Sequence, residues 1–144
     1  KNQISKIYGP TIFISGDDMR RIFELNKYTK EARFAYGIKL AKFCKFVTGQ
    51  NINMIFAVVS LRDKIRKWNK KNIPNYIEIY IKADIKKIMS IGKKKIYKNF
   101  NKNIVGIDII PEFPKSPNIT IENNFNKSIK HLSDELLKKI KKTI

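Results

Sequence analysis

The chain has 144 residues, 42% of them hydrophobic, which suffices for a single domain, 1–144, with a packed core. Its 31 Lys and Arg residues against 12 Asp and Glu residues give a formal net charge of +19. No apolar run reaches the roughly 18 residues of a membrane-spanning helix, and the first residues lack a signal-peptide pattern. The single cysteine, Cys44, excludes an internal disulfide. We therefore expect a cytoplasmic protein with no membrane partner.

The high positive charge does not by itself identify a partner. Lys greatly outnumbers Arg and is spread along the chain, and Asn and Ile are also abundant, a mixture that AT-rich codons supply whatever the function. The aromatic signatures of RRM and KH domains are absent. We therefore do not expect nucleic acid to be the main partner, and a small polyanionic substrate explains a positive cleft equally well.

The hydrophobic pattern alternates between short apolar runs and longer amphipathic segments. In chain order it predicts a strand at 11–14, a helix at 29–47, a strand at 54–59, a helix at 61–69, a strand at 76–81, a helix at 84–89, a strand at 118–121 and a helix at 128–142. Nearly continuous apolar strands that alternate with helices are typical of an α/β fold with a parallel sheet covered by helices on both faces. The stretch 92–115 has no period, and we interpret it as an exposed flap.

Polar residues follow the first two predicted strands, at 15–21 and 60–66. Ligands of parallel α/β sheets bind at the carboxyl ends of the strands. In the first cluster the carboxylate of Asp17, beside Gly16, can orient or deprotonate a hydroxyl, while Arg20 and Arg21 can bind phosphate oxygens. The alternative is an ordinary helix start, in which Asp17 or Asp18 caps the helix and the arginines are solvated. Local spacing alone favours the helix start.

Six segments resemble motifs of the adenylylsulphate kinases, which phosphorylate the 3′-hydroxyl of adenosine phosphosulfate, and they occur in that family's order. They are Ile14-Ser15-Gly16-Asp17-Asp18-Met19-Arg20, Tyr28-Thr29-Lys30-Glu31-Ala32-Arg33, Val58-Val59-Ser60-Leu61 with Arg66, Tyr97-Lys98, Lys102-Asn103-Ile104-Val105-Gly106-Ile107-Asp108, and Pro111-Glu112-Phe113-Pro114 with Pro117-Asn118. The resemblance spans most of the chain, from about Thr11 to Glu122. It implies a P-loop kinase fold and ATP-dependent phosphorylation of a nucleotide-like acceptor.

The resemblance also implies roles for individual residues. Asp17 becomes the catalytic base or the group that orients the acceptor hydroxyl. Arg20 and Arg33 bind the phosphate-bearing tail of the acceptor, and Tyr28 stacks on its base. The other expected substrate contacts are Tyr36, Ser60, Lys102 and Ile104, and a mobile lid at 92–115 carries Lys94, Lys95 and Lys98 near ATP. Ser60 stands where some members carry a phosphorylated serine, or it caps the following helix.

The resemblance implies Mg²⁺ as the cofactor, held mainly by ATP, water and the hydroxyl of the family's phosphate-binding loop. It leaves open whether the protein is a homodimer. The phosphate-binding loop of this fold, G-x-x-x-x-G-K-[ST], does not occur in the sequence. In the family that loop precedes a helix leading into the strand at Thr11, and its strand is the central one of the sheet. We therefore expect the native protein to carry a further βα unit, about 20 to 30 residues, before Lys1.

Five positions depart from the family pattern. Ser15 replaces an Asp, Tyr36 an Asn, Leu61 a Pro, Lys82 an Asp and Ile104 the Phe of the lid. In the family that Phe and the aromatic residue matching Tyr28 sandwich adenine. Losing one aromatic face costs a purine more than a pyrimidine, because the purine has the larger π surface. The departures resemble the branch of the family that phosphorylates cytidine diphosphoramidate in capsule biosynthesis, so we expect a cytidine acceptor.

Two alternatives remain open from the sequence. The first is adenylylsulphate kinase activity itself, with an adenosine acceptor. The second is of a different class: a kinase-like remnant that binds an anion or nucleic acid without catalysis, if the phosphate-binding loop is absent from the gene. The reading frame upstream of Lys1 distinguishes an enzyme from a remnant.

Overall fold

The computed structural model describes residues 1–60, 62–91, 105 and 108–144. These residues form two compact units. The first consists of Lys1–Tyr76 and Pro111–Phe113, and the second of Ile77–Ile110 and Pro114–Ile144.

The first unit contains four helices and a two-stranded parallel sheet. Its elements, in chain order, are α1 (Asn2–Tyr8), β1 (Thr11–Ser15), α2 (Gly16–Ile22), α3 (Lys30–Thr48), β2 (Asn53–Ala57) and α4 (Asp63–Asn72). Thr11 is opposite Asn53 and Ser15 is opposite Ala57 in the parallel register. A parallel pair needs a crossover connection, and α2 and α3 supply it. The carboxyl ends of β1 and β2 therefore lie side by side.

The core of the first unit lies along one face of α3. Leu40, Ala41, Cys44 and Val47 are buried, and their spacing of one, three and four residues places them on the same side of the helix. The Thr29 hydroxyl accepts a hydrogen bond from the Ala32 amide at 3.2 Å, so Thr29 caps the helix as the sequence predicts.

The second unit contains β3 (Ile79–Lys82), α5 (Ile85–Ile91), β4 (Ile119–Glu122) and α6 (Ile129–Thr143). The two strands are again parallel, with Ile79 opposite Ile119 and Lys82 opposite Glu122. The side chains of Ile109, Ile119 and Ile121 form its buried core. Helix α6 contacts this sheet through Lys139, whose ammonium group donates a hydrogen bond to the Thr120 carbonyl of β4 at 2.8 Å.

The α/β class, the four predicted strands and their parallel pairing are confirmed, but some boundaries were wrong. Strand β2 ends at Ala57 rather than Val59. Its neighbour β1 ends at the same level, at Ser15, which caps α2, so residues beyond Ala57 have no strand partner in β1. Helix α4 begins at Asp63 and not at Leu61, a residue outside the described part of the chain. Most of the predicted flap, 92–104 and 106–107, also lies outside the described residues.

Candidate active site

The end of β1 turns directly into α2 through a capping box. The amide of Asp18 donates to the Ser15 hydroxyl oxygen at 3.1 Å, and the Ser15 amide donates to the Asp18 carboxylate at 3.3 Å. The Ser15 hydroxyl itself donates to the same carboxylate oxygen at 2.6 Å. Each residue thus satisfies an otherwise unpaired group of the other. A Cβ atom on Gly16 would lie 3.2 Å from Val58 Cγ2, so the small residue lets the end of β1 approach the residues that follow β2.

The two neighbouring carboxylates at this turn have different surroundings. Asp18 bonds to the Ser15 side chain and backbone and pairs with Arg21 at 3.2 Å, and these contacts hold the pKa of Asp18 below its ordinary value. Asp17 is exposed and has no hydrogen bond or ion pair to another described residue. The capping residues are therefore Ser15 and Asp18, and the Asp17 carboxylate is available to a ligand.

Two guanidinium groups converge on the ring of Tyr28. The guanidinium carbon of Arg20 lies 4.5 Å from the ring centroid, and that of Arg33 lies 5.3 Å from it. The guanidinium carbon of Arg20 also lies 5.7 Å from the centroid of the Tyr36 ring. We call Arg20, Tyr28, Arg33 and Tyr36 the arginine–tyrosine cluster. It unites four of the residues that the sequence predicted to bind substrate, although they span two helices and a loop.

The backbone of the loop between α2 and α3 fixes both arginines. Arg20 Nη1 donates to the Leu25 carbonyl at 2.7 Å and to the Lys27 carbonyl at 3.4 Å. Arg33 Nε donates to the Tyr28 carbonyl at 2.9 Å. Burial and the nearby charge of Arg20 lower the pKa of Arg33, which indicates mutual repulsion between the two cations. An anion bound beside both of them would relieve that repulsion. The alternative interpretation of this turn as an ordinary helix start expected both Arg20 and Arg21 to be solvated. That expectation is wrong for Arg20, which binds backbone carbonyls, whereas Arg21 is largely exposed.

The carboxyl end of β2 is organised by a buried arginine. Arg66 is 4% exposed, and its Nη1 donates to the Ser60 carbonyl at 2.9 Å. Its Nη2 donates to Asp63 at 3.3 Å. The prediction that Ser60 caps the next helix was wrong, because α4 begins after Arg62 and receives no cap from a side chain of its own segment. Ser60 contributes its backbone carbonyl to this arrangement.

Glu112 supplies the missing cap of α4 from a distant part of the chain. One carboxylate oxygen accepts from the Asp63 amide at 2.8 Å, and the other accepts from Arg62 Nη1 at 2.8 Å. Bonding to Arg62 and to the Asp63 amide lowers the pKa of Glu112. The sequence contained Glu112 in a family-like motif but gave no sign of this contact, since 49 residues separate it from Asp63.

Several predicted site residues fall outside the described part of the chain. They are Lys94, Lys95, Lys98, Lys102 and Ile104. Among the described residues, no group of three or more His, Cys, Asp and Glu side chains is placed to hold a metal ion. Nor does any described helix have both the length and the apolar character needed to cross a membrane.

Comparison with known proteins identifies the family. The model of the adenylylsulphate kinase family matches residues 2–122. The chain belongs to the adenylylsulphate kinase family. It is 31% identical over 137 residues to the cytidine diphosphoramidate kinase of Campylobacter jejuni, an alignment that covers 92% of this chain and 80% of that kinase. It is also 22% identical over 116 residues to a probable adenylyl-sulfate kinase of Pyrococcus abyssi, covering 77% of this chain and 67% of that protein.

A solved structure of this family shares the fold. The Mycobacterium tuberculosis APS kinase, determined in complex with AMPPNP and APS, matches with a TM-score of 0.80 at 16% identity. The match covers 97% of this chain and 86% of that one. The chain therefore has the α/β P-loop kinase fold, as predicted, and is a phosphotransferase of the adenylylsulphate kinase family.

Two departures from the family pattern have a local explanation in the structure. Ser15, which replaces an Asp, serves as the helix cap described above. Lys82, which replaces an Asp at the end of β3, pairs with Glu122 of β4 at 3.0 Å, and that contact raises the pKa of Lys82. Both residues thus have structural partners within the described part of the chain.

Proposed function

We propose that this adenylylsulphate kinase relative transfers a phosphoryl group from ATP to the ribose 3′-hydroxyl of a nucleoside 5′-phosphate derivative. The observation that carries the proposal is the arrangement at the carboxyl ends of β1 and β2. Here Asp17 has a carboxylate without a described partner, and Arg20, three residues further on, meets Arg33 over one tyrosine ring. Phosphoryl transfer needs mainly positioning and charge stabilisation, and these side chains can provide both for the acceptor.

In the proposed reaction the acceptor's 3′-oxygen attacks the γ-phosphorus of ATP. The bond between that phosphorus and the bridging oxygen breaks, and ADP departs with the electron pair. The Asp17 carboxylate orients the hydroxyl and accepts its proton. Arg20 and Arg33 bind the phosphate-bearing tail of the acceptor through charge-assisted hydrogen bonds, which fixes the ribose relative to Asp17.

Mg²⁺ is the metal that this reaction requires when ATP is bound. Its preferred ligands are oxygen atoms, which the phosphates of ATP supply. We expect most of the coordination to come from ATP phosphates, water and the hydroxyl of the family's phosphate-binding loop. The metal would neutralise charge on the transferred group.

Cytidine diphosphoramidate is the acceptor that we favour. A kinase of that name is 31% identical to this chain, above the identity of the adenylyl-sulfate kinase described above. The chain also has Ile104 where the family has the second aromatic residue of its adenine clamp. Adenosine phosphosulfate is the alternative acceptor, supported by the family match.

A product analysis tests the proposed reaction. The complete protein is incubated with Mg-ATP and each of a panel of nucleoside 5′-phosphate derivatives, and the position of the new phosphate is determined by phosphorus NMR. We expect a 3′-phosphorylated product that depends on ATP, on Mg²⁺ and on Asp17. If ATP is consumed without any nucleotide product, or if the phosphate enters another position, the proposal is wrong.

A further inference from the structure

The ring of Tyr28 is engaged by cations. The family resemblance implies that an aromatic residue at this position stacks on the base of the acceptor. In this structure two guanidinium carbons, those of Arg20 and Arg33, lie 4.5 Å and 5.3 Å from the centroid of the ring. The electron-rich face of an aromatic ring attracts a cation at such distances. The ring therefore acts on the two side chains that would bind phosphate.

The position of Tyr28 in the chain reinforces this contact. Its carbonyl accepts from Arg33 Nε at 2.9 Å, while Arg20 binds the carbonyls of Leu25 and Lys27, at 2.7 Å and 3.4 Å. The loop thus binds each guanidinium group through backbone carbonyls, and the ring contacts both groups. Without the ring, the repulsion that contributes to the lowered pKa of Arg33 would favour their separation.

We propose that Tyr28 is a positioning residue of the phosphate site, holding Arg20 and Arg33 in place for the phosphate-bearing part of the acceptor. This inference rests on the proposed function, because it requires the acceptor to be a nucleoside 5′-phosphate derivative. It differs from a pure base-stacking role in one measurable respect. A positioning residue contributes to the binding of a ligand that has a phosphate but no base, whereas a stacking residue does not.

Binding of two ligands to the complete protein separates the two roles. The ATP site is filled with Mg-ADP, and titration calorimetry then measures the affinities for cytidine 5′-monophosphate and for ribose 5-phosphate. Removing the ring in Tyr28→Leu deletes two cation–π contacts, so we expect both ligands to bind about fivefold to thirtyfold more weakly, by similar factors. Tyr28→Phe keeps the ring and serves as the matched control, with affinities close to those of the unmodified protein.

A loss confined to cytidine 5′-monophosphate in Tyr28→Leu would overturn the inference, since it would place the ring against the base. Binding of cytidine 5′-monophosphate without measurable binding of ribose 5-phosphate in the unmodified protein would also overturn it. A double variant adds a readout that general destabilisation would not produce. In the otherwise unmodified protein, we expect Arg33→Lys to weaken ribose 5-phosphate binding strongly. In the Tyr28→Leu background we expect the same substitution to have a much smaller effect, because Tyr28 and Arg33 are in contact and their effects are then not additive. Failure of the proposed function is seen separately, as the absence of a 3′-phosphorylated product.

Discussion

At the scale of single residues, Asp17 and Asp18 are adjacent in the chain but differ in their contacts. Asp18 bonds to Ser15 and Arg21, whereas Asp17 is exposed and contacts no described hydrogen-bonding partner. If Asp17 accepts or orients the proton of the acceptor, Asp17→Asn should lower kcat by about two to four decades. Because Asp17 has no hydrogen bond or ion pair to another described residue, the melting temperature of Asp17→Asn should stay near that of the unmodified protein.

Asp18→Asn is the matched control, since it makes the same change from a carboxylate to an amide at the neighbouring residue. We expect it to lower the melting temperature, because the ion pair with Arg21 and part of the capping box are lost, while kcat changes little. Steady-state kinetics and thermal unfolding of the two variants decide the assignment. Near-normal turnover of Asp17→Asn would remove Asp17 from the mechanism.

Three paired carboxylates should make the protein sensitive to acid. Bonding to Lys139 and Lys127, each at 3.2 Å, lowers the pKa of Glu135 from its ordinary value of 4.5. The contacts described above lower the pKa of Glu112 from 4.5 and that of Asp18 from 3.8. A group whose pKa is lower in the folded state contributes stability that is complete above its ordinary pKa and disappears as the pH falls through the lowered value. We therefore expect the free energy of unfolding to fall as the pH drops below about 5, the upper limit of this window.

Denaturant unfolding at several pH values between neutrality and acid measures this effect. The triple variant Asp18→Asn, Glu112→Gln, Glu135→Gln should be less stable at neutral pH and should lose less on acidification. Parallel pH profiles for the variant and the unmodified protein would show that these three groups do not cause the acid sensitivity.

At the scale of elements, the close contact of α3 and α4 depends on Gly37. A Cβ atom at this position would overlap Cδ1 of Ile65, a buried residue of α4. Gly37→Ala gains about 1 kcal/mol of helix propensity but should lose about 1–3 kcal/mol to overpacking. We expect a net loss of up to about 2 kcal/mol in the free energy of unfolding.

The same substitution in an Ile65→Val background provides the control. Valine lacks the Cδ1 atom, so there Gly37→Ala should be neutral or stabilising by up to about 1 kcal/mol. Urea denaturation of the four proteins gives the coupling between the two positions. Equal effects of Gly37→Ala in both backgrounds would mean that Ile65 does not restrict this position.

The start of α4 depends on Glu112, which binds the Asp63 amide and Arg62. We expect Glu112→Ala to speed hydrogen exchange at the Asp63 amide and to lower the melting temperature, because the first turn of α4 loses its acceptor. Glu112→Gln should retain most of the protection, since its amide oxygen can still accept. Glu122→Ala, which removes the partner of Lys82, is the control that should leave the Asp63 amide unchanged. Unaltered Asp63 exchange in Glu112→Ala would show that Glu112 is not the cap.

At the scale of the whole molecule, sequence patterns predicted the elements better than the contacts between them. The apolar runs at 11–14 and 54–59 predicted strands where the structure has β1 and β2, because strands of a parallel sheet are typically apolar on both faces. The cap of α4 by Glu112 could not be predicted, since it depends on a contact between residues far apart in sequence. Local spacing could not place Arg20 and Arg33 on one ring either, because the conformation of the loop at Tyr28 decides it.

Some predictions from the sequence stay predictions. The single-domain organisation and the lid at 92–115 belong to this group, as do the contacts of Lys102 and Ile104 with substrate. The roles of Asp17, Arg20 and Arg33 rest on the family and on their placement in the structure.

The choice of acceptor is the central claim about the whole molecule, and one ratio tests it most directly. With the complete protein and saturating Mg-ATP, kcat/KM is measured for cytidine diphosphoramidate and for adenosine phosphosulfate. We predict a ratio above one, because the family resemblance assigns Ile104 to the position of an aromatic residue that stacks on adenine, and a base–aromatic stack is worth about 1–3 kcal/mol. Ile104→Phe should shift the ratio towards adenosine. A ratio below one for the unmodified protein would contradict the claim and indicate an adenylylsulphate kinase.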